Sequence, residues 1–144
     1  MIYTDMTKKA MRIMFAAHGD QTDKSGVPYV FHPWHVAESM HDELTCTVAL
    51  LHDVVEDTAM TLDDLRAEGF PEEVLTALAL LTHDKDVPYL EYVAKVAQNP
   101  LARAVKLADL AHNADLSRLD TVTDKDIERL EKYARASEIL LAAK

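Results

Sequence analysis

The sequence predicts an all-α fold, a bundle of about eight helices. Three observations predict it. Gly occurs only 3 times in 144 residues, and β-branched runs are scarce while Ala, Leu, Met, Lys and Glu are plentiful, a balance that favours helix. Apolar residues recur three and four positions apart in one segment after another, and no segment shows the strict alternation of a half-buried strand. Proline and Thr-x-x-Asp patterns stand where helices would begin.

The elements follow in order. The first helix is expected from about Thr4 to His18, with Ala10, Met11, Met14, Phe15 and Ala17 as its apolar stripe and Gly19 as its stop. Residues 19 to 31, GDQTDKSGVPYVF, hold Gly, Pro, Asp and Ser and form the longest expected loop. Pro33 suits a first helical position, and the second helix should run from there through Met40. The third is expected over about Thr45 to Asp57. The fourth opens at Thr61, with Asp64 three residues on, close to a capping box. The fifth opens at Pro71 and carries Val74, Leu75, Leu78 and Leu81. The sixth follows Pro88, with Leu90, Val93, Ala94 and Val96. The seventh follows Pro100 and runs to about Ala114. The last begins near Thr123, again with an acid, Asp126, three residues on, and carries Ile127, Leu130, Tyr133, Ala134, Ile139 and Leu140.

Residues 1 to 144 are expected to form a single domain, and a chain of that length buries roughly 68–70% of its unfolded surface without a staple. The formal net charge of −10 repels nucleic acid and anionic membranes, so neither is an expected partner. An anionic substrate would need a local divalent metal and a few placed Lys and Arg to overcome that field. Cys46 is the only cysteine, so no internal disulfide can form; a reducing compartment fits, and the thiol reads as a small core residue. The N-terminal MIYTDMTKKAMRIM lacks a cleavable apolar segment, and no apolar run approaches the ~18 residues of a membrane span. A cytoplasmic location is expected.

The stretch LLHDVVEDT, residues 50 to 58, raises the functional question. Read as one helix, it stacks His52 under Glu56 and Asp53 under Asp57, in neighbouring columns about 100° apart. An imidazole and three carboxylates on one polar edge are costly to bury unless paired or bound to a metal. His52 and Asp53 offer mixed N and O ligands, which suit Mn²⁺, Fe²⁺ or Zn²⁺ alike. Glu56 and Asp57 can activate water or protonate a leaving group.

Two further segments supply ligand types. In VKLADLAHNADLSR, Lys106, Asp109 and Asn113 share one helical face at i, i+3 and i+7, with Asp109 a carboxylate in an apolar frame and Lys106 and Asn113 suited to phosphate oxygens. His32, before Pro33, has a restricted backbone and would hold a ligand rigidly. Singly, a His–Asp pair, an acidic helix end and a Lys-x-x-Asp are ordinary surface features. Together, two histidines, two aspartates and two spare acids in apolar surroundings point to a metal site. His18 lies at a helix end, where a cation is favourable. His35, His41 and His83 read as surface or structural positions, His112 as a supporting or structural one, and Trp34 as core.

These residues carry a resemblance. HDVVED resembles the His-Asp hallmark of the HD superfamily of metal-dependent phosphohydrolases. AHGDQTDKSGVPYVFHP, ALLHDVVEDT, LLTHDK and VKLADLAHNADLSR, in that order, resemble the hydrolase domain of RelA/SpoT proteins and single-domain small alarmone hydrolases, over about residues 10 to 140. The resemblance implies an HD-domain helical bundle that removes the 3′-pyrophosphate from ppGpp, usually with Mn²⁺. It places the metal ligands on His32, His52, Asp53 and Asp109, and the acid pair that handles the attacking water on Glu56 and Asp57. It places nucleotide contacts on Lys24, Lys85, Asn113, Arg129 and Tyr133. The synthetase domain that accompanies this one in longer members is not expected, because the chain ends at Lys144. Two positions depart from the family pattern: Asp23 stands where a loop cation is common, and Leu110 where a basic residue often follows LAD.

Three functions are therefore open on sequence. The first is a metal-dependent phosphohydrolase acting on ppGpp. The second is the same metal site acting on a nucleoside monophosphate or the 2′-phosphate of NADPH, favoured by the lost loop cation. The third is a non-catalytic nucleotide-binding module, which a broken ligand set would mark. The metal's identity is open too, and apolar positions on the last helix would permit a homodimer.

Overall fold

Helix starts lie where capping chemistry marks them. Thr4, Thr61 and Thr123 each accept a hydrogen bond from the backbone N–H three residues on, and each is answered by the side chain of that residue in a capping box. Asn99 caps the helix whose first residue is Pro100. The computed structural model describes residues 1–143. Its helices are α1 (Asp5–His18), α2 (Phe31–Glu38), α3 (Glu43–Leu51), α4 (Val54–Asp57), α5 (Leu62–Ala67), α6 (Glu72–Leu81), α7 (Tyr89–Ala97), α8 (Pro100–Asn113) and α9 (Asp124–Ala142), with a 3-10 turn at Leu116–Arg118. No strand forms among the described residues, although Thr22 and Pro28 pair in one isolated bridge across the loop after α1.

The expected third helix is two helices, and this is the main correction to the sequence reading. It ends at Leu51, and α4 starts after a turn at His52 and Asp53. The second helix also starts earlier than expected, at Phe31, so His32 lies within its first turn. Pro33 is tolerated there because the first N–H groups of a helix have no partner within it.

Helix α3 is the centre of the fold. Every residue from Thr45 to Leu51 is buried, as expected of a helix that is covered all round. It packs against α1, α2, α6 and α8. Fully burying a side chain such as Leu50 or Leu51 stabilises by roughly 1.5–3 kcal/mol each. Cys46 is a buried core residue, as its setting suggested. Val74, Leu75, Leu78 and Leu81 all face the core from α6. Helix α9 lies across α7 and α8 and contributes Ala136 and Leu140.

Several expected core positions lie outside it. Phe15 is 66% exposed, and Leu90 and Ile127 are exposed too. Each sits at the edge of an apolar stripe on a helix covered on one side only, where a periodic pattern does not say how wide the contact is. No helix among the described residues is long and apolar enough to cross a membrane.

Candidate metal centre

The break after α3 is built by His52 itself. Its Nδ1 donates to the Ala49 carbonyl at 2.6 Å, and its backbone N–H reaches the same oxygen at 3.5 Å. An uninterrupted helix would offer that carbonyl to residue 53. The ring takes it instead, and the chain turns. The same bond assigns the imidazole, because Nδ1 as donor leaves the lone pair of the neutral ring on Nε2. That Nε2 is buried and has no hydrogen-bond partner among the described residues.

Three segments converge on this nitrogen. Asp53, in the turn, places Oδ2 at 3.1 Å from it. Asp109, from α8, places Oδ1 at 3.4 Å. His32, from α2, has its Nε2 at 2.8 Å from Asp109 Oδ1 and 3.8 Å from Asp53 Oδ2. Ligand atoms of His32, His52 and Asp109 all lie within 4.8 Å of one another. Two imidazole nitrogens and two carboxylates around an orphaned buried lone pair make a donor set that fits a divalent ion such as Mn²⁺, Fe²⁺ or Zn²⁺.

The electrostatics agree. Burial opposes charge on Asp109, yet the Lys106 ammonium, a hydrogen bond from His32 and the nearby His52 imidazole hold its carboxyl well below the usual range. Burial likewise opposes charge on His52, yet Asp53 and Asp109 hold its imidazole well above its ordinary value. The site demands positive charge at its centre. Helix α8 shows why the i, i+3, i+7 face matters: Lys106 Nζ donates to Asp109 Oδ2 at 3.0 Å and Asn113 Nδ2 to Oδ1 at 3.1 Å. Leu110, by contrast, turns into the core, where its apolar side chain serves packing.

Glu56 and Asp57 sit one turn beyond the break. Carboxylate oxygens of Asp53, Glu56 and Asp57 lie within 4.8 Å of one another. The Asp57 carboxyl is pushed up to about 6, by burial and by the neighbouring Asp53 and Glu56 charges. Glu56 Oε1 accepts the backbone N–H of His83 at 2.6 Å. A cavity of about 120 Å³ joins these parts, lined by Glu56, His83, Tyr92 and Lys106 as well as His52, Asp53 and Asp109.

A larger cavity of about 390 Å³ gathers Lys24, Tyr29, Asn113, Arg118, Arg129 and Tyr133. Lys24 Nζ and Arg129 both donate to Asp126 Oδ1, at 3.0 and 3.1 Å. Asp23 accepts from the backbone N–H groups of Ser25 and Val27, at 2.9 and 3.0 Å, and so shapes the loop that carries Lys24. Lys85 is exposed on the loop between α6 and α7 and lines neither cavity.

The sequence reading missed several neighbours. The Tyr29 hydroxyl donates to Asp53 Oδ2. The His83 ring stacks on Tyr92 at 4.5 Å and bonds the Val87 carbonyl, which holds the loop that carries the Glu56 contact. Neither residue has a spacing signal, because each reaches the site through a loop. His18 needs a correction: it is no helix-end cation but fully buried, and burial lowers its pKa and keeps it neutral.

No family model matches the chain. Relatives do. A mouse protein named guanosine-3′,5′-bis(diphosphate) 3′-pyrophosphohydrolase MESH1 is 36% identical over 135 residues, covering 83% of this chain and 74% of the relative. A protein of Aquifex aeolicus named guanosine-3′,5′-bis(diphosphate) 3′-pyrophosphohydrolase is 30% identical over 142 residues, covering 90% of this chain but only 19% of that longer protein. Among solved structures, a metazoan ortholog of SpoT, described as hydrolysing ppGpp, superposes with a TM-score of 0.81 at 24% identity, covering 100% of this chain and 90% of that one. The likeness in fold to that structure and the identity to the mouse relative agree: the chain belongs to the HD-domain family of the MESH1 and RelA/SpoT proteins.

Proposed function

We propose that this chain is a metal-dependent phosphohydrolase that removes the 3′-pyrophosphate from ppGpp. The observation that carries the reading is the convergence of His32, His52, Asp53 and Asp109 around one buried lone pair, with Glu56 and Asp57 beside it. The relatives' activity supplies the substrate. His32, His52, Asp53 and Asp109 would hold a divalent ion, manganese by the resemblance. When bound, that ion lowers the pKa of a water and polarises a phosphoryl oxygen.

The chain's own residues then divide the work. Water adds to the 3′-phosphorus, the bond from that phosphorus to the ribose O3′ breaks, and pyrophosphate leaves. Asp57, with its pKa near 6, is mostly ionised at neutral pH and accepts the water's proton; it is close enough to working pH to return a proton to O3′. Glu56, held by the His83 N–H, orients the water. Lys106, fixed on Asp109, and Asn113 face the phosphates. Lys24, Arg129 and Tyr133 line the cavity for the rest of the nucleotide, and Lys85 would have to swing in from its loop. The reaction is assigned to the cytoplasm, where a buried free thiol such as Cys46 persists. A dimer through α9 would cover the exposed Ile127 and Leu141.

The test is pyrophosphate release from ppGpp by protein stripped of metal and reloaded with Mn²⁺. Release is expected, and His52→Ala should abolish it. Glu56→Gln should lower turnover by roughly 10²–10⁴-fold with metal retained. Unchanged turnover in Glu56→Gln removes its role, and no release from loaded protein removes the substrate.

One observation favours a second substrate for the same site. In the larger cavity the cations Lys24, Arg118 and Arg129 face the acids Asp23, Asp115 and Asp126, so its charge is balanced rather than positive. That suits a less charged nucleotide, a nucleoside monophosphate or the 2′-phosphate of NADPH. A substrate panel in Mn²⁺ decides, since activity confined to those compounds would replace the ppGpp reading.

A further inference from the structure

Helix α8 grips both nitrogens of His32. On one side, Asp109 Oδ1 lies 2.8 Å from Nε2. On the other, Nδ1 of His112 lies 2.7 Å from His32 Nδ1. Asp109 and His112 are three residues apart, so they project from one face of α8 and reach round the ring of a residue on α2.

The contact between the two histidines is well aligned. The rings are parallel to within 9° and their centres are 5.0 Å apart. At that separation the nitrogens can close to 2.7 Å only by lying on the line between the ring centres. The hydrogen bond therefore runs in the plane of both rings, along the N–H of one and the lone pair of the other. His112 is itself held. His35 stacks on the His112 ring, with ring centres 4.0 Å apart and 23° between planes. Arg118 donates to the His112 carbonyl at 2.9 Å, which ties down the end of α8.

The geometry points to His112 as a positioning residue for the metal site: by accepting a hydrogen bond from His32 Nδ1–H, it holds His32 in the tautomer and orientation that turn the Nε2 lone pair toward the ion. This inference rests on His32 being a metal ligand. An ion held at Nε2 would sit on the side that faces Asp109 and would leave the N–H of the neutral ring on Nδ1, facing His112. His52 reaches the same state by a different route, since its Nδ1 donates to a backbone carbonyl. The two ligand histidines thus present Nε2, one oriented by the main chain and the other by a side chain. Partners of this kind raise the basicity of the ligand and set its angle, and their loss weakens metal binding by roughly 10–100-fold.

Two substitutions of nearly equal size isolate the acceptor. His112→Asn places a carbonyl oxygen near the Nδ1 position, whereas His112→Leu places a methyl group there. Mn²⁺ affinity is measured by competition with a chelator, and melting in excess chelator reports the fold alone. His112→Leu should bind Mn²⁺ 10–100-fold more weakly, and His112→Asn should stay within about threefold of the parent. Equal losses in both variants, or no loss in either, would overturn the assignment.

A measurement on the unsubstituted protein covers the case in which His112→Leu does not fold. Nitrogen-15 spectra of the Zn²⁺-loaded protein should show His32 protonated at Nδ1 and metal-bound at Nε2. A proton on Nε2, with the metal on Nδ1, overturns the proposal. His32→Ala separates this failure from that of the underlying reading: if it leaves Mn²⁺ affinity unchanged, His32 is no ligand; if it abolishes binding while His112→Leu does not weaken it, the ligand stands and the positioning role falls.

Discussion

Replacing Lys106 with Met tests how strongly the buried carboxylates of the centre depend on a compensating positive charge. Lys106 is largely buried, and its ammonium lies 3.0 Å from Asp109 Oδ2 and 5.4 Å from the centre of the Tyr92 ring. At 3.0 Å, opposite unit charges attract by about 5.5 kcal/mol at an effective dielectric of 20, before desolvation is counted. Removing one partner of a buried pair typically costs 3–5 kcal/mol, because the other charge stays buried. Asp109 keeps His32, His52 and Asn113, so the low end, about 3 kcal/mol, is the expectation. Met keeps the apolar stem, so little packing is lost. For a chain of this size that is a fall in Tm of roughly 10 °C. The assay is thermal melting in excess chelator and again in excess Mn²⁺. An ion at the centre would neutralise the abandoned Asp109, so Mn²⁺ should raise Tm more in Lys106→Met than in the parent. A loss below about 1 kcal/mol in chelator, or the same rise with Mn²⁺ in both proteins, would refute the reasoning.

Other predictions concern stability, pH and a neighbour of the site. Leu50→Ala on the fully buried α3 should cost about 2–5 kcal/mol in urea unfolding, and a loss under 1 kcal/mol would mean the core closes around the gap. The Asp126 carboxyl is held below the usual range, first by the Thr123 backbone N–H and then by Lys24 and the Thr123 hydroxyl. Because its folded pKa is depressed, its stabilisation is complete well above the unfolded value near 3.9 and is lost as pH falls toward the folded one. Asp126→Asn should therefore lower the urea midpoint at pH 7, and the gap to the parent should narrow below about pH 5; a gap independent of pH would contradict the carboxylate's role. Tyr29→Phe removes the hydroxyl that donates to Asp53 and should weaken Mn²⁺ binding roughly 10-fold without changing the fold, as read by calorimetry and circular dichroism.

Much of the fold was legible because its signals are local. A Thr cap and its answering acid lie three residues apart, and Thr61 and Thr123 start helices as their patterns say. Pro100 opens α8 as expected. Apolar spacing marked the inward face of α6, where Val74, Leu75, Leu78 and Leu81 are all buried. The types of residue in the candidate centre were legible for a related reason: acids and histidines in an apolar frame are anomalous against the cost of burying charge. Resemblance then set them in order.

What the sequence by itself determined, then, is the class of fold, the starts of most helices and the identity of the ligand-type residues. Only the tertiary structure decided how they meet. His32 faces Asp109 across 77 residues of chain and His112 across 80, and Lys24 finds Asp126 across 102. No periodicity reports such distances, because it records which face of a helix is apolar and not which helix lies opposite. The same ignorance of the neighbour left Phe15 assigned to the core and His18 read as a helix-end cation. The break at His52 was hidden for a different reason. It depends on one side chain taking a backbone carbonyl that an ordinary helix would keep, and residue types alone do not say which of two hydrogen bonds wins.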